Sequence, residues 1–429
     1  MKTMTRHLFL FIIGWAWVAT AKAQPPMTAE ECMAYAVAHN RDVRKARLTL
    51  DNYEADRLGA IGQMLPYVSA SGAAQYNFGR GIDPETNTYT NVTTFSNGFG
   101  VSASMPVFDG LARLHGLRLA RTNVLMGKSA VEQQEDQVAL QTLQAFVNAL
   151  YYRGTVAMAE EKLKESELML RQTRVMEDMG RKSPADVAQM EAQQAEASVE
   201  VIRQRNLFEQ AMLTLKDVMN WQGDSLRLAE EPYKTYDKPR AQGLPEERVA
   251  FFQMESARYA LRKEKASLWP TISLSGGWST SYYKTLDAPS GASWGNQMKN
   301  NRGEWVAASL SFPLFGRFGT MTAIRRARNN YRSAQETYEQ KREELERLRK
   351  EAVMDAEAFR SETEGMEKKV AADSLTYTLT KRQWEEGLST TIDVTNTAAA
   401  LLNSRARLLQ ARLMTILKER LARYYGQED

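Results

Sequence analysis

The 429-residue chain holds one cysteine, Cys32, and three histidines. A lone thiol excludes an intramolecular disulfide framework. Within "AEECMAYAVAHN" it reads as a small buried residue on a helix face. His39 and His115 are too far apart for a local metal motif, and no zinc-ligand spacing occurs. A glycine-rich phosphate loop, a Walker lysine and a nucleophile elbow are all missing. "GFGVSAS" (98–104) lies inside an alternating stretch, where small residues suit a strand face. These absences point away from an enzyme, a resident metal or a cofactor. A membrane-spanning helix needs about 20 apolar residues, and "LFLFIIGWAWVAT" (8–20) falls short.

That run has another reading. Lys2 and Arg6 precede it and "AKA" (21–23) follows, the pattern of a secretory signal covering residues 1–23 with cleavage before Gln24. No cysteine stands near the site, so a lipid anchor is not expected. Lys2, Arg6 and Lys22 leave with the signal, and the net charge falls from +4 to +1. A nucleic-acid partner is therefore not implied.

The twelve prolines are unevenly spread and leave windows 107–183, 185–231 and 314–429 free. Proline inside a helix costs about 3 kcal/mol. The spacing predicts one helix from Leu111 to Met179, a stop at Gly180 and a restart at Ser183. It predicts a second helix reaching Glu386, a break at Gly387, and a further helix to Tyr425. Some 70 residues at 1.5 Å each make a helix of roughly 100 Å, against a usual length of about 11–12 residues. Narrow apolar stripes on such helices pair as coiled coils. The charges of "KREELERLRKEA" (341–352) suit a solvated face with i to i+4 pairing.

Four segments follow a period of two: 67–78, 95–105, 271–282 and 304–312. One face carries Val68, Ala70, Val101, Ala103, Ile272, Leu274, Val306 and Leu310; the other is mostly Ser, Gly and Thr. Tyr67, Tyr76, Phe78, Phe95, Trp278, Tyr282, Tyr283 and Trp305 cluster toward the segment ends. An apolar outer face, a small polar inner face and terminal aromatics are the marks of transmembrane barrel strands. Residues 79–94 and 284–303, rich in Pro, Gly and Asn, read as outer loops.

The chain also repeats. "SMPVFDG" (104–110) and "SFPLFGR" (311–317) place Pro106 and Pro313 207 residues apart. "LPYVSASG" (65–72) and "WPTISLSG" (269–276) place Pro66 and Pro270 204 apart, and Gly180 and Gly387 are 207 apart. The expectation is two units, 24–221 and 244–429, with a linker at 222–243 and β-hairpins at 67–107 and 270–313. The four prolines mark the strand–helix junctions. Four strands cannot close a barrel, and an open edge cannot face lipid. Two copies would give eight strands and a filled interior, whereas three would give twelve and a passage.

These junctions, the tandem repeat and the "G-x5-D-V" breaks resemble the TolC family of outer membrane efflux proteins over about residues 27–426. The resemblance implies a mixed α and β membrane protein built as a homotrimer. Each protomer would lend four strands to a shared 12-stranded β-barrel in the outer membrane of a Gram-negative bacterium. A long α-helical coiled-coil barrel would continue it through the periplasm. It further implies a passive exit duct for tripartite efflux or type I secretion, docked to a periplasmic adaptor protein and an inner-membrane pump. Gly180 and Gly387 would mark the periplasmic tips where adaptors dock. Asp393 matches an entrance aspartate whose copies ring the constriction, while the family's second acidic position is Asn396 here. Trp384 matches an aromatic that locks the closed tip, and Asp186 its polar partner on the other hairpin. Helix capping accounts equally for both aspartates, since Ser183 with Asp186 and Thr390 with Asp393 each form a capping arrangement. A barrel-anchored scaffold that spans the periplasm without conducting is the alternative function.

Overall fold

The structure, a computed structural model, describes residues 26–82, 87–91, 93–223, 225–229, 243–286 and 292–426. The signal at 1–23 and most of the 222–243 linker lie outside the described residues. In chain order come helices α1 (Ala29–His39) and α2 (Arg41–Gly62), then strands β1 (Tyr67–Asn77), β2 (Arg80–Ile82), β3 (Tyr89–Asn91) and β4 (Thr94–Phe108). Helices α3 (Ala112–Asp178), α4 (Pro184–Met219) and α5 (Pro245–Ala266) follow. Strand β5 (Thr271–Thr285), helix α6 (Trp294–Asn300) and strand β6 (Gly303–Ser311) lead to α7 (Gly319–Glu385) and α8 (Thr391–Gly426).

The repeat is written into the helix lengths. α2 and α5 each have 22 residues, α3 and α7 each have 67, and α4 and α8 each have 36. At 1.5 Å per residue the two longest run about 100 Å.

The main sheet is antiparallel in the order β1-β4-β5-β6, so β1 and β6 are its free edges. Its register brings like faces together. Val68, Ala103, Gly276 and Val306 form one row, and Met105, Leu274 and Ala308 another. On the opposite face Ser69, Ser102 and Gly277 align, as do Ser71, Gly100 and Ser279. A shift of one residue in any pairing would mix the faces. Tyr76, Phe95 and Tyr282 touch ring to ring at one end of the apolar face, with centroids 4.7 and 6.3 Å apart. On the polar face the Trp305 indole lies over Gly277, where an added Cβ would sit 2.9 Å from Nε1.

Both loops hold more structure than their composition announces. β2 and β3 pair within the first, and α6 occupies the second. β5 overruns the end of β6, and side chains near α6 take over there. The Gln297 amide bonds both the N–H and the C=O of Tyr283 at 2.9 Å, and Asn301 donates to the Ser281 carbonyl at 2.8 Å.

Pro66 and Pro270 stand directly before β1 and β5, and Pro313 follows β6. Pro106 differs, lying inside β4 where the ladder to β5 slips between Pro106 and Phe108. Without an N–H it cannot extend the ladder, and a bulge accommodates it. Its carbonyl accepts from Arg113, which also donates to the Gln63 carbonyl at 3.1 Å and pairs with Asp109 at 2.9 Å. Each long helix then starts from two consecutive left-handed residues: Gly110 and Leu111 (φ 65° and 71°), Arg317 and Phe318 (φ 48° and 65°).

The largest core joins α1, α3, α4 and α8 around Cys32, Leu143, Phe146, Leu215 and Met219. Burial, with Glu31 and Glu30 adding, pushes the Cys32 thiol up to about 12. It stays a protonated, unreactive packing group.

Candidate functional site at the hairpin tips

The turns joining α3 to α4 and α7 to α8 share one design. Gly180 (φ 70°) and Gly387 (φ 79°) occupy the left-handed position that ends a helix. Arg181 N–H reaches the Met176 carbonyl at 2.8 Å, and Leu388 N–H reaches the Gln383 carbonyl at 2.7 Å. Three residues after each glycine a hydroxyl caps the next helix. Ser183 Oγ accepts from Asp186 N–H at 3.3 Å, and Asp186 Oδ2 accepts from Ser183 N–H at 3.0 Å. Thr390 and Asp393 repeat this with distances of 3.2 and 3.1 Å. Gly-x2-Ser/Thr-x2-Asp is thus a complete stop-and-restart signal, used twice at an offset of 207.

The two aspartates part company at their second oxygen. Asp186 Oδ1 accepts from Thr391 Oγ1 at 2.8 Å, which ties the first tip to the second. Among the described residues the Asp393 carboxylate accepts only from Ser389 and Thr390, and through Oδ2. It and Asn396 stand three residues apart on the exposed side of α8, while Thr391 and Val394 are buried. Hydrogen bonds hold both carboxyls below the usual carboxylate range. For Asp186 the Ser183 backbone N–H leads, then the Ser183 and Thr391 hydroxyls. For Asp393 the Thr390 hydroxyl leads, then its backbone N–H. Both are anions at neutral pH.

Trp384 is fully buried among Met169, Leu170, Met190 and Val394, with Val187 and Tyr377 alongside. Its indole N–H points at Thr391 Oγ1, 3.4 Å away. Lys182 lies over the ring at 5.6 Å. Trp384, Thr391 and Asp186 therefore form a short relay from one hairpin to the other. The structure brings these residues together, and keeps Asp393 and Asn396 on a separate, solvent-facing side.

Further ties between the hairpins carry no local signal, because their partners are some 200 residues apart. Glu165 accepts from the Tyr377 hydroxyl and from Lys381 at 2.9 Å. Burial, then the Glu165 carboxylate, raises the Tyr377 pKa, so the phenol stays a donor. Arg405 pairs with Glu161 at 3.3 Å, and Gln193 donates to Thr395 at 2.7 Å. Among the described residues no group of three or more His, Cys, Asp or Glu side chains could hold a metal ion. No described helix is long and apolar enough to cross a membrane.

The sequence profile of the outer membrane efflux protein family matches residues 34–220 and again 245–427. The outer membrane efflux protein BepC of Brucella suis biovar 1 (strain 1330) is 22% identical over 401 residues, which cover 92% of this chain and 84% of that one. Crystal structures of CusC superpose with a TM-score of 0.82 at 15% identity, over 93% of this chain and 91% of that chain. The outer membrane protein VceC of Vibrio cholerae gives 0.78 at 14% identity, over 93% and 96%.

Proposed function

Because this chain belongs to the outer membrane efflux protein family, we propose that it is the passive exit duct of a tripartite efflux or type I secretion system. Three copies close one twelve-stranded barrel in the outer membrane, and their helices form a tunnel through the periplasm. The observation that carries this reading is the four-stranded sheet with one apolar face and two open edges, set on 67-residue helices. Such edges are untenable in lipid until a further copy pairs with them. Three copies leave a lumen where two would leave a filled interior.

The units are residues 24–221 and 244–429, linked by 222–243. Gly180 and Gly387 mark the tips that a periplasmic adaptor grips, with an inner-membrane pump supplying the energy. Asp393 and Asn396 face the lumen there, and capping is no obstacle, since Asp393 Oδ1 remains available to the passage. The Trp384–Thr391–Asp186 relay holds the tip closed.

Native mass spectrometry of the mature protein in detergent tests the assembly: three copies are expected, and a monomer or dimer would defeat the closure argument. Replacing Asp393 by Asn should shift ion selectivity of the conducting protein toward anions. Unchanged selectivity would leave Asp393 a helix cap and nothing more.

A further inference from the structure

The first turns of the two longest helices carry a charge pattern that passage through a lumen does not explain. Residues 112–131 of α3 and 319–335 of α7 hold four Lys or Arg each and no Asp or Glu. At the chain's average of 52 acidic residues in 429, about four or five would fall in those 37 positions. Two arginines stand at the same places in both units: Arg118 and Arg325 are 207 residues apart, as are Arg121 and Arg328. All four are exposed. Among the described residues none of the four has a carboxylate partner, whereas farther along α7 Arg347 pairs with Glu351 at 2.6 Å and Lys369 with Asp373 at 2.9 Å. The neighbouring helix ends do not reverse the sign: Asp56 stands beside Arg57 on α2, and Glu264 between Lys263 and Lys265 on α5.

At 3.6 residues per turn each helix shows two different sides. One runs Leu114, Arg118, Arg121 and Leu125 on α3, and Met321, Arg325, Arg328 and Arg332 on α7. The other, about half a turn round, runs Gly116, Asn123 and Ala130, matched at an offset of 207 by Ala323, Asn330 and Thr337. This second side continues the small, polar chemistry of the Ser/Gly/Thr face of the sheet. The first sets large apolar residues beside cations, a combination suited to the boundary of a bilayer. Exposed apolar groups mark that boundary, since Leu111, Trp269 and Met321 are 50%, 60% and 66% exposed where strands give way to helices. Beyond Leu114 and Met321 the arginines follow one and two turns later, at about 6 and 10 Å along the axis. The headgroup layer of a leaflet is about 5–8 Å deep, and arginine can extend its head back toward it along the stem.

We propose that Arg118, Arg121, Arg325 and Arg328 bind the phosphates of anionic glycerophospholipids in the periplasmic leaflet of the outer membrane. Guanidinium meets phosphate with paired N–H donors, and on these two helices no carboxylate competes until Glu132 and Glu336. Those acids lie about 20 Å or more beyond the apolar boundary, past the Debye length of about 8 Å. Three copies set twelve such arginines in a collar below the barrel, which fixes the depth at which the barrel sits. This collar rests on the barrel assembly proposed above, and its test reports on the two separately.

The mature protein is reconstituted into nanodiscs of phosphatidylethanolamine with one-fifth phosphatidylglycerol. Native mass spectrometry of the released protein then counts copies and retained lipids together. One variant carries Arg118→Gln, Arg121→Gln, Arg325→Gln and Arg328→Gln. A control carries Arg171→Gln, Arg203→Gln, Arg347→Gln and Lys369→Gln, which removes equal charge from exposed positions farther along the helices. A third protein replaces the four collar arginines by Lys. Parent and control should retain phosphatidylglycerol about threefold above its share of the bilayer. The Gln variant should fall to the bilayer ratio, and the Lys protein should keep most of the enrichment. A parent at the bilayer ratio, or a Gln variant as enriched as the parent, overturns the collar; if that variant also shifts ion selectivity in planar bilayers, its arginines line the lumen instead. Circular dichroism checks that helix content is unchanged. Should the fourfold variant fail to fold, Arg118→Gln with Arg121→Gln and Arg325→Gln with Arg328→Gln are used separately, each expected to lose about half of the enrichment, and no loss in either overturns the collar. A copy number other than three contradicts the ring, while lipid retained per chain still decides the collar.

Discussion

Replacing Trp384 by Ala should loosen the hairpin tips without unfolding the rest of the molecule. The indole is 0% exposed. A buried aromatic side chain hides about 150–250 Å², which at about 25 cal/mol per Å² corresponds to roughly 4–6 kcal/mol. Alanine retains a small part of this, and core Trp→Ala changes cost about 3–5 kcal/mol. The loss is local, because among the described residues the buried apolar partners of Trp384 are Met169, Leu170, Met190 and Val394, a cluster separate from the core around Phe146. A penalty near 3 kcal/mol multiplies the local opening constant by about a hundred. Amide hydrogen exchange followed by mass spectrometry reads this directly. Peptides spanning 166–190 and 380–398 should exchange about a hundredfold faster in the variant, while peptides from α2, α5 and the sheet keep their rates. Tip rates within threefold of the parent would refute the claim that Trp384 holds the hairpins together.

Other expectations follow from the same geometry. Thr391→Val preserves shape but removes the hydroxyl that joins Trp384 to Asp186, and loss of a hydrogen bond to a charged group costs about 1.5–3 kcal/mol. Because Asp186 is only half-buried, solvent screening puts the cost at the low end, so tip exchange should quicken by about tenfold; no change would dismiss the relay. Gly110→Ala places a Cβ 2.5 Å from the Ala266 carbonyl oxygen at a φ of 65°, so thermal unfolding should occur at a clearly lower temperature. An unaltered melting curve would show that this junction relaxes freely. For pH, Asp186 and Asp393 have pKa values depressed from 3.8. Their stabilisation is complete above the unfolded value and is lost as pH falls through the lower folded value. Tip exchange corrected for its intrinsic rate should be level from pH 7 to 5 and quicken only below 3.8. A step between pH 5 and 7 would implicate other groups.

How much of this was legible in the sequence depended on how local each cause is. Proline-free windows and positive-φ glycines act within a turn or two, and the helix ends fell within a residue or so of where Gly180 and Gly387 put them. Strand faces were readable because a period of two is local, and the sheet register then aligned them. The capping roles of Asp186 and Asp393 were readable from Ser183 and Thr390 three residues away. The bulge at Pro106 has no local signal because it depends on where β4 meets β5, a contact between segments about 170 residues apart. The helix α6 and the Gln297 clip hid in a loop whose composition signals only turns. Thr391, Glu165 and Tyr377 carry no local signal for the same reason, since each acts through a partner on the other hairpin.

The central claim is that copies of this chain enclose a continuous passage. The most direct measurement is single-channel conductance of the purified mature protein in a planar bilayer, in parallel with the Trp384→Ala variant. Discrete steps of one size are expected, with openings more frequent in the variant because its tip latch is gone. Bilayers that stay silent with both proteins, although insertion and three copies are verified, would contradict it and favour a scaffold that spans the periplasm without conducting.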